Sequence, residues 1–141
     1  MKPITRAVAL VVLASLAACS ILPEAEAPTV YRLPATTSAT ADSVRAAVHW
    51  SLRIAAPQAG ALDSARIAVL PEGDRLTVYK GVRWNDRVPA LLRDRLFDAF
   101  QADGRVHALS VDDNNLQADY ELAGNLRAFQ TEYENDRPVV V

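Results

Sequence analysis

Cysteine is nearly absent from this 141-residue chain; its one copy is at position 19. No disulfide can close within the chain, so packing must hold the fold together. Histidine occurs twice, at His49 and His107, in separate segments without a second cysteine, which leaves no ordinary zinc centre. The five glycines form neither a phosphate-cradling loop nor a Gly-x-Ser-x-Gly turn, so no nucleotide-binding loop or nucleophile elbow can be read. Basic residues are not in excess, with 15 Lys and Arg against 17 Asp and Glu, and no basic patch marks a nucleic-acid partner. No apolar run reaches the roughly 20 residues needed to span a bilayer.

What is present begins at the N-terminus. Lys2 and Arg6 form a basic start, and Ala7 to Leu16 is an apolar stretch interrupted only by Ser15. Leu16-Ala17-Ala18-Cys19 follows, in the order leucine, small, small, cysteine that defines a bacterial lipobox. Residues 1–18 therefore read as a lipoprotein signal peptide, with the Cys19 thiol as the nucleophile that takes up a diacylglycerol. A transmembrane helix would need a longer run. An ordinary secretory signal would strand one unpaired cysteine in an oxidising compartment. Removing residues 1–18 from 141 leaves 123, with 13 basic and 17 acidic side chains, a net charge of −4. Each acyl chain contributes about 0.8 kcal/mol per buried methylene, and several chains together hold firmly. Ser20, rather than an aspartate, follows the cysteine, which favours the periplasmic face of the outer membrane over the inner membrane. Residues 19–29 carry Pro23, Pro28, Glu24 and Glu26 among small residues and read as a flexible tether.

Residues 30–141 read as one domain. Val30 to Leu33 is short and strand-like. Val48, Trp50, Leu52 and Ile54 alternate with His49, Ser51 and Arg53, the period of a half-buried strand, and Trp50 reads as core. Arg66–Leu70 and Leu76–Tyr79 flank Glu72-Gly73-Asp74 as a hairpin. A helix over about 86–102 is expected. Asn85 or Asp86 is its cap, Pro89 lies in its first turn, and Val88, Leu91, Leu92, Leu96, Ala99 and Phe100 form one apolar face. Gly104 stops it. Arg105–Leu109 is a short strand, and Tyr120 to Ala128 a long alternating one that Phe129 breaks, which suggests a bulge or a departure from the sheet. Pro138–Val141 begins a further apolar strand. The fold class is α+β: a mixed or antiparallel sheet with one main helix packed on a face.

Nothing in the chain points to catalysis, and a non-enzyme is expected. Asp112-Asp113-Asn114-Asn115 offers oxygen ligands but lacks the glycine and distal glutamate of a calcium loop. Asp94 and Asp98 sit one helical turn apart beside Arg93 and Arg95, which describes a charged exposed face. No metal or cofactor is expected beyond covalent lipid on Cys19.

The segment from Tyr79 through Arg83-Trp84-Asn85 to Pro89 and Leu92 resembles the ABC-type transport auxiliary lipoproteins, the PqiC-like family. Tyr31-Arg32-Leu33, Arg66-Ile67-Ala68-Val69 and Asp119-Tyr120-Glu121-Leu122 through Phe129 resemble the family's other strands, so the similarity spans residues 19–141. The resemblance implies a non-enzymatic adaptor that serves an MCE-domain periplasmic protein and, through it, an ABC permease and ATPase moving lipids between membranes. Family members usually continue with more strands past the position of Val141, so this chain is expected to be C-terminally short. Arg83 and Trp84 are the candidate partner-interface residues, because tryptophan and arginine are favoured at interfaces. Trp84 also fits a packing residue over the helix start, and Arg83 a solvated side chain. Alternatives are a stand-alone binder of lipid or another hydrophobic ligand, which needs a cavity between helix and sheet, and a lipoprotein enzyme. The oligomeric state is left open, a homo-oligomer included.

Overall fold

The structure is a computed structural model and describes residues 26–35, 46–111 and 117–141. Among the described residues eight strands and one α-helix make an α+β fold: β1 (Thr29–Tyr31), β2 (Val48–Ile54), β3 (Arg66–Leu70), β4 (Thr77–Trp84), α1 (Val88–Asp103), β5 (Val106–Val111), β6 (Tyr120–Leu122), β7 (Gln130–Glu134) and β8 (Arg137–Val140). The strands divide into two sheets. One has five strands in the order β1-β4-β3-β7-β8, and the other has three in the order β5-β2-β6.

In the smaller sheet β2 is the middle strand and both partners run parallel to it. Its alternation is read correctly from the sequence: Leu52 is 6% and Ile54 0% exposed, while His49 points to solvent. Trp50 is only half-buried, because the flanking β6 covers it with a single edge-on ring, Tyr120, at 5.4 Å. The register is fixed laterally by polar ties. Asp119 Oδ2 accepts hydrogen bonds from the Ser51 N–H and hydroxyl, both at 2.7 Å, and Arg53 pairs with Glu121. Those two bonds hold the Asp119 carboxyl below its ordinary pKa, the Ser51 backbone N–H being the larger cause.

Helix α1 packs chiefly on β5 and also on β2. Val88 and Leu91 are 2% and 4% exposed, each burial contributing about 1.5–3 kcal/mol. The helix begins two residues later than expected and has no side-chain cap. Asp86 Oδ1 instead accepts from the Arg87 N–H at 2.6 Å. The Val88 N–H is satisfied from outside the helix, by the Ser64 carbonyl at 3.1 Å, and Pro89 has no N–H to satisfy. Gly104 ends the helix at φ +69°, as its position predicts. The expected apolar face holds only through the first turns. Leu96 is 40% exposed and Ala99 is exposed, because the sheet beneath is three strands wide.

In the larger sheet β3 and β4 pair antiparallel, as the hairpin reading requires. The expected long strand Tyr120–Ala128 is not formed. Only Tyr120–Leu122 pairs in the small sheet, and a single bridge, Gln58 to Asn125, carries the chain on. The chain then crosses to the larger sheet as β7, beside β3. Phe129 lies at that crossing. With Leu126 it packs on Ala59, Leu62 and Ala68, a cluster that holds two connecting segments against β3.

Candidate functional site

Cys19 lies outside the described residues, as does the Asp112–Asn115 loop. Arg83 and Trp84 form the last two positions of β4 and face different surroundings. The Trp84 N–H donates to the Ala65 carbonyl at 2.7 Å, and its register partner on β1 is Tyr31. Just beyond, the Asn85 N–H donates to the Tyr31 carbonyl at 2.8 Å. The indole is half-buried and tilts against Phe129, with ring centres 5.8 Å apart. Trp84 thus ties β1, the start of β3 and the crossing before β7 together, and its ring contact is with Phe129 rather than with the helix start expected for it. Part of the ring remains open.

Arg83 is exposed, and its Nε donates to the Trp84 carbonyl at 3.2 Å. Its register partners are Val30 on β1 and Arg66 on β3. Two arginines thus stand directly opposite one another, an arrangement that repels unless an anion lies between them. The sequence does not reveal this pairing, because it depends on an irregular register within the hairpin.

Chemistry elsewhere is sparse. His49 and His107 are both exposed, in different strands. Asp94 pairs with Arg93, and Asp98 with Arg95 at 3.1 Å, so the two helix carboxylates belong to surface ion pairs. Among the described residues no three His, Cys, Asp or Glu side chains gather as metal ligands, and no helix is long and apolar enough to cross a membrane.

The described residues thus form a two-sheet α+β domain. The family model described as the ABC-type transport auxiliary lipoprotein component matches residues 31–141. This chain belongs to that family. Among solved structures it is similar to protein XCC0632 from Xanthomonas campestris, of the family model DUF330, at 31% identity and TM-score 0.62 over 81% of this chain. The chain spans 61% of that protein's length. It shares a fold with an uncharacterised protein at 14% identity and TM-score 0.52, over 81% of this chain and 75% of the other. No curated protein matches it.

Proposed function

We propose that this protein is the lipid-anchored adaptor of an MCE-type ABC transport system that moves lipids between two membranes. Cys19 carries the acyl chains, residues 19–29 are the tether, and residues 30–141 are the docking domain. The domain faces the periplasm from the outer membrane and meets the MCE-domain protein, which links it to the permease and ATPase. The observation that carries this reading is the family membership of residues 31–141, joined to Leu16-Ala17-Ala18-Cys19 immediately upstream. The region around Arg83 and the open part of Trp84 is the partner surface.

Replacing Cys19 with alanine should release the protein from the membrane fraction; a Cys19→Ala form that stays bound would remove the anchor. Crosslinking in cells should recover the MCE protein with the wild type and much less with Arg83→Ala/Trp84→Ala. Recovery of no MCE protein by the wild type would overturn the adaptor role.

A further inference from the structure

β3 and β4 do not pair evenly. Arg66 is opposite Arg83 and Ala68 is opposite Val78, so four residues of β4, Tyr79 to Val82, face the single residue Ile67 on β3. The excess chain bows outward, helped by Gly81 at φ +71°. It leaves a groove of about 510 Å³ whose walls include Pro28, Ser64, Arg66, Lys80, Gly81 and Arg83. Three of these side chains are cations and none of the groove-lining residues is acidic. Among the described residues no carboxylate pairs with Arg66, Lys80 or Arg83; Arg32, Arg75, Arg127 and Arg137 also lack one, but only the first three share one groove, and Arg53, Arg87, Arg93, Arg95 and Arg105 are each paired. This concentration of unpaired positive charge occurs in a chain with more acidic than basic residues.

We propose that this groove binds the phosphate of an anionic phospholipid headgroup. Two guanidinium groups on opposed strands can take a phosphate from both sides, and Lys80 adds a third cation. The anion removes the repulsion between Arg66 and Arg83 that the empty hairpin must bear. Apolar Val78 and Val82 line the same groove and suit the glycerol and upper acyl atoms. The membrane is within reach, because Pro28 is nine residues past Cys19, a span of at most about 30 Å in an extended chain. That reach rests on the lipid-anchor reading of Cys19.

The full chain, purified in a neutral detergent, is titrated with dihexanoyl-phosphatidylglycerol, dihexanoyl-phosphatidylcholine and inorganic phosphate. Phosphatidylglycerol should bind saturably and more weakly as salt rises. Arg66→Glu and Arg83→Gln should each lose roughly tenfold or more in affinity, the effect of a charged hydrogen-bond partner. Arg75→Gln, at the far end of the hairpin, should keep it. The melting temperature of Arg66→Glu should match or exceed that of the wild type, because the new carboxylate faces Arg83, so a loss of binding cannot be put down to unfolding. Undiminished binding by Arg66→Glu would overturn the proposal, as would equal binding of phosphatidylcholine. Inorganic phosphate binding as tightly as the lipid would also overturn it, by making this a site for a free anion. Arg66 adjoins the proposed partner surface, so lipid binding is read on the purified chain alone, without the MCE protein. Mass spectrometry of the purified chain tests the anchor by itself, and an unacylated chain that still binds phosphatidylglycerol supports the groove.

Discussion

The five-stranded sheet contains two antiparallel hairpins built on opposite principles. β7 and β8 pair in one unbroken register, from Thr131 with Val140 to Glu134 with Arg137. Asn135 and Asp136 turn the chain with φ of +51° and +60°, both positive, as a tight two-residue hairpin turn requires. β3 and β4 are joined by the longer loop from Pro71 to Leu76 and slip register partway along. The even hairpin spends its residues on backbone pairing and leaves Val139, Val140 and Val141 exposed at the sheet's edge. The uneven one sacrifices pairing and gains a concave, charged surface. Regular pairing fixes a strand, and its local failure opens a groove.

The largest effect should come from emptying the cluster behind the uneven hairpin. Leu62→Ala should cost about 2–5 kcal/mol by denaturant unfolding. Hydrogen exchange should then quicken in β3 before β8, because Leu62 packs with Ala68 of β3. Equal quickening in both hairpins would mean they unfold as one unit. Next, Asn135→Val places a β-branched residue at positive φ and should cost about 1–2 kcal/mol, whereas Asn135→Gly should be nearly neutral. A costless Asn135→Val would show that the turn can rearrange. Arg66→Glu converts a like-charge pair into an opposite one and should add about 0.2–1 kcal/mol in thermal unfolding at low salt. No gain would show that the two guanidiniums already avoid each other.

The smallest effect concerns the contact between the hairpins. Tyr79 of β4 and Tyr133 of β7 join their hydroxyls at 2.7 Å. Tyr79→Phe should cost about 0.5 kcal/mol, the low end for a hydrogen bond, because Tyr133 is 47% exposed. The bond to Tyr133, followed by burial, raises the Tyr79 pKa above its ordinary value of 10.0. A group whose folded pKa is raised stabilises fully below its unfolded pKa, and that contribution disappears as pH climbs through the folded value. The difference between wild type and Tyr79→Phe should therefore be constant at neutral pH and shrink only in strongly alkaline buffer. A difference that shrinks near pH 7 would assign the effect to another group.

Periodicity made β2, the helix and the β3/β4 hairpin legible, because each carries its own signal within a few residues. Gly104 as a helix stop was equally plain. The division into two sheets was not, since nothing local to Val48–Ile54 says that its partners are Val106–Val111 and Tyr120–Leu122. β7 escaped notice because Gln130-Thr131-Glu132-Tyr133-Glu134 has few apolar residues, although Asn135-Asp136 is a readable turn signal. Leu96 and Ala99 fit a helical stripe, yet how far a stripe is covered depends on the width of the sheet below it. At the site, Arg83 and Trp84 stood out by residue type and by resemblance. Arg66 did not, because its significance arises only from facing Arg83 across a slipped register.

The parallel placement of β2 carries a consequence for the order of folding. Leu52 pairs with Leu109 on one side and Tyr120 on the other, so both neighbours are made long after it. The β3/β4 hairpin closes a short loop and can form at once. Closing the small sheet must gather distant segments, which is the slow kind of step. Until β5 and β6 arrive, both edges of β2 are unpaired, and Leu52 and Ile54 are free to pair with another chain. Pulse-labelled hydrogen exchange during refolding should show β3 and β4 protected first and β2 last. A nascent chain of this protein is therefore most in need of a chaperone in the interval between the synthesis of Ile54 and that of Leu122.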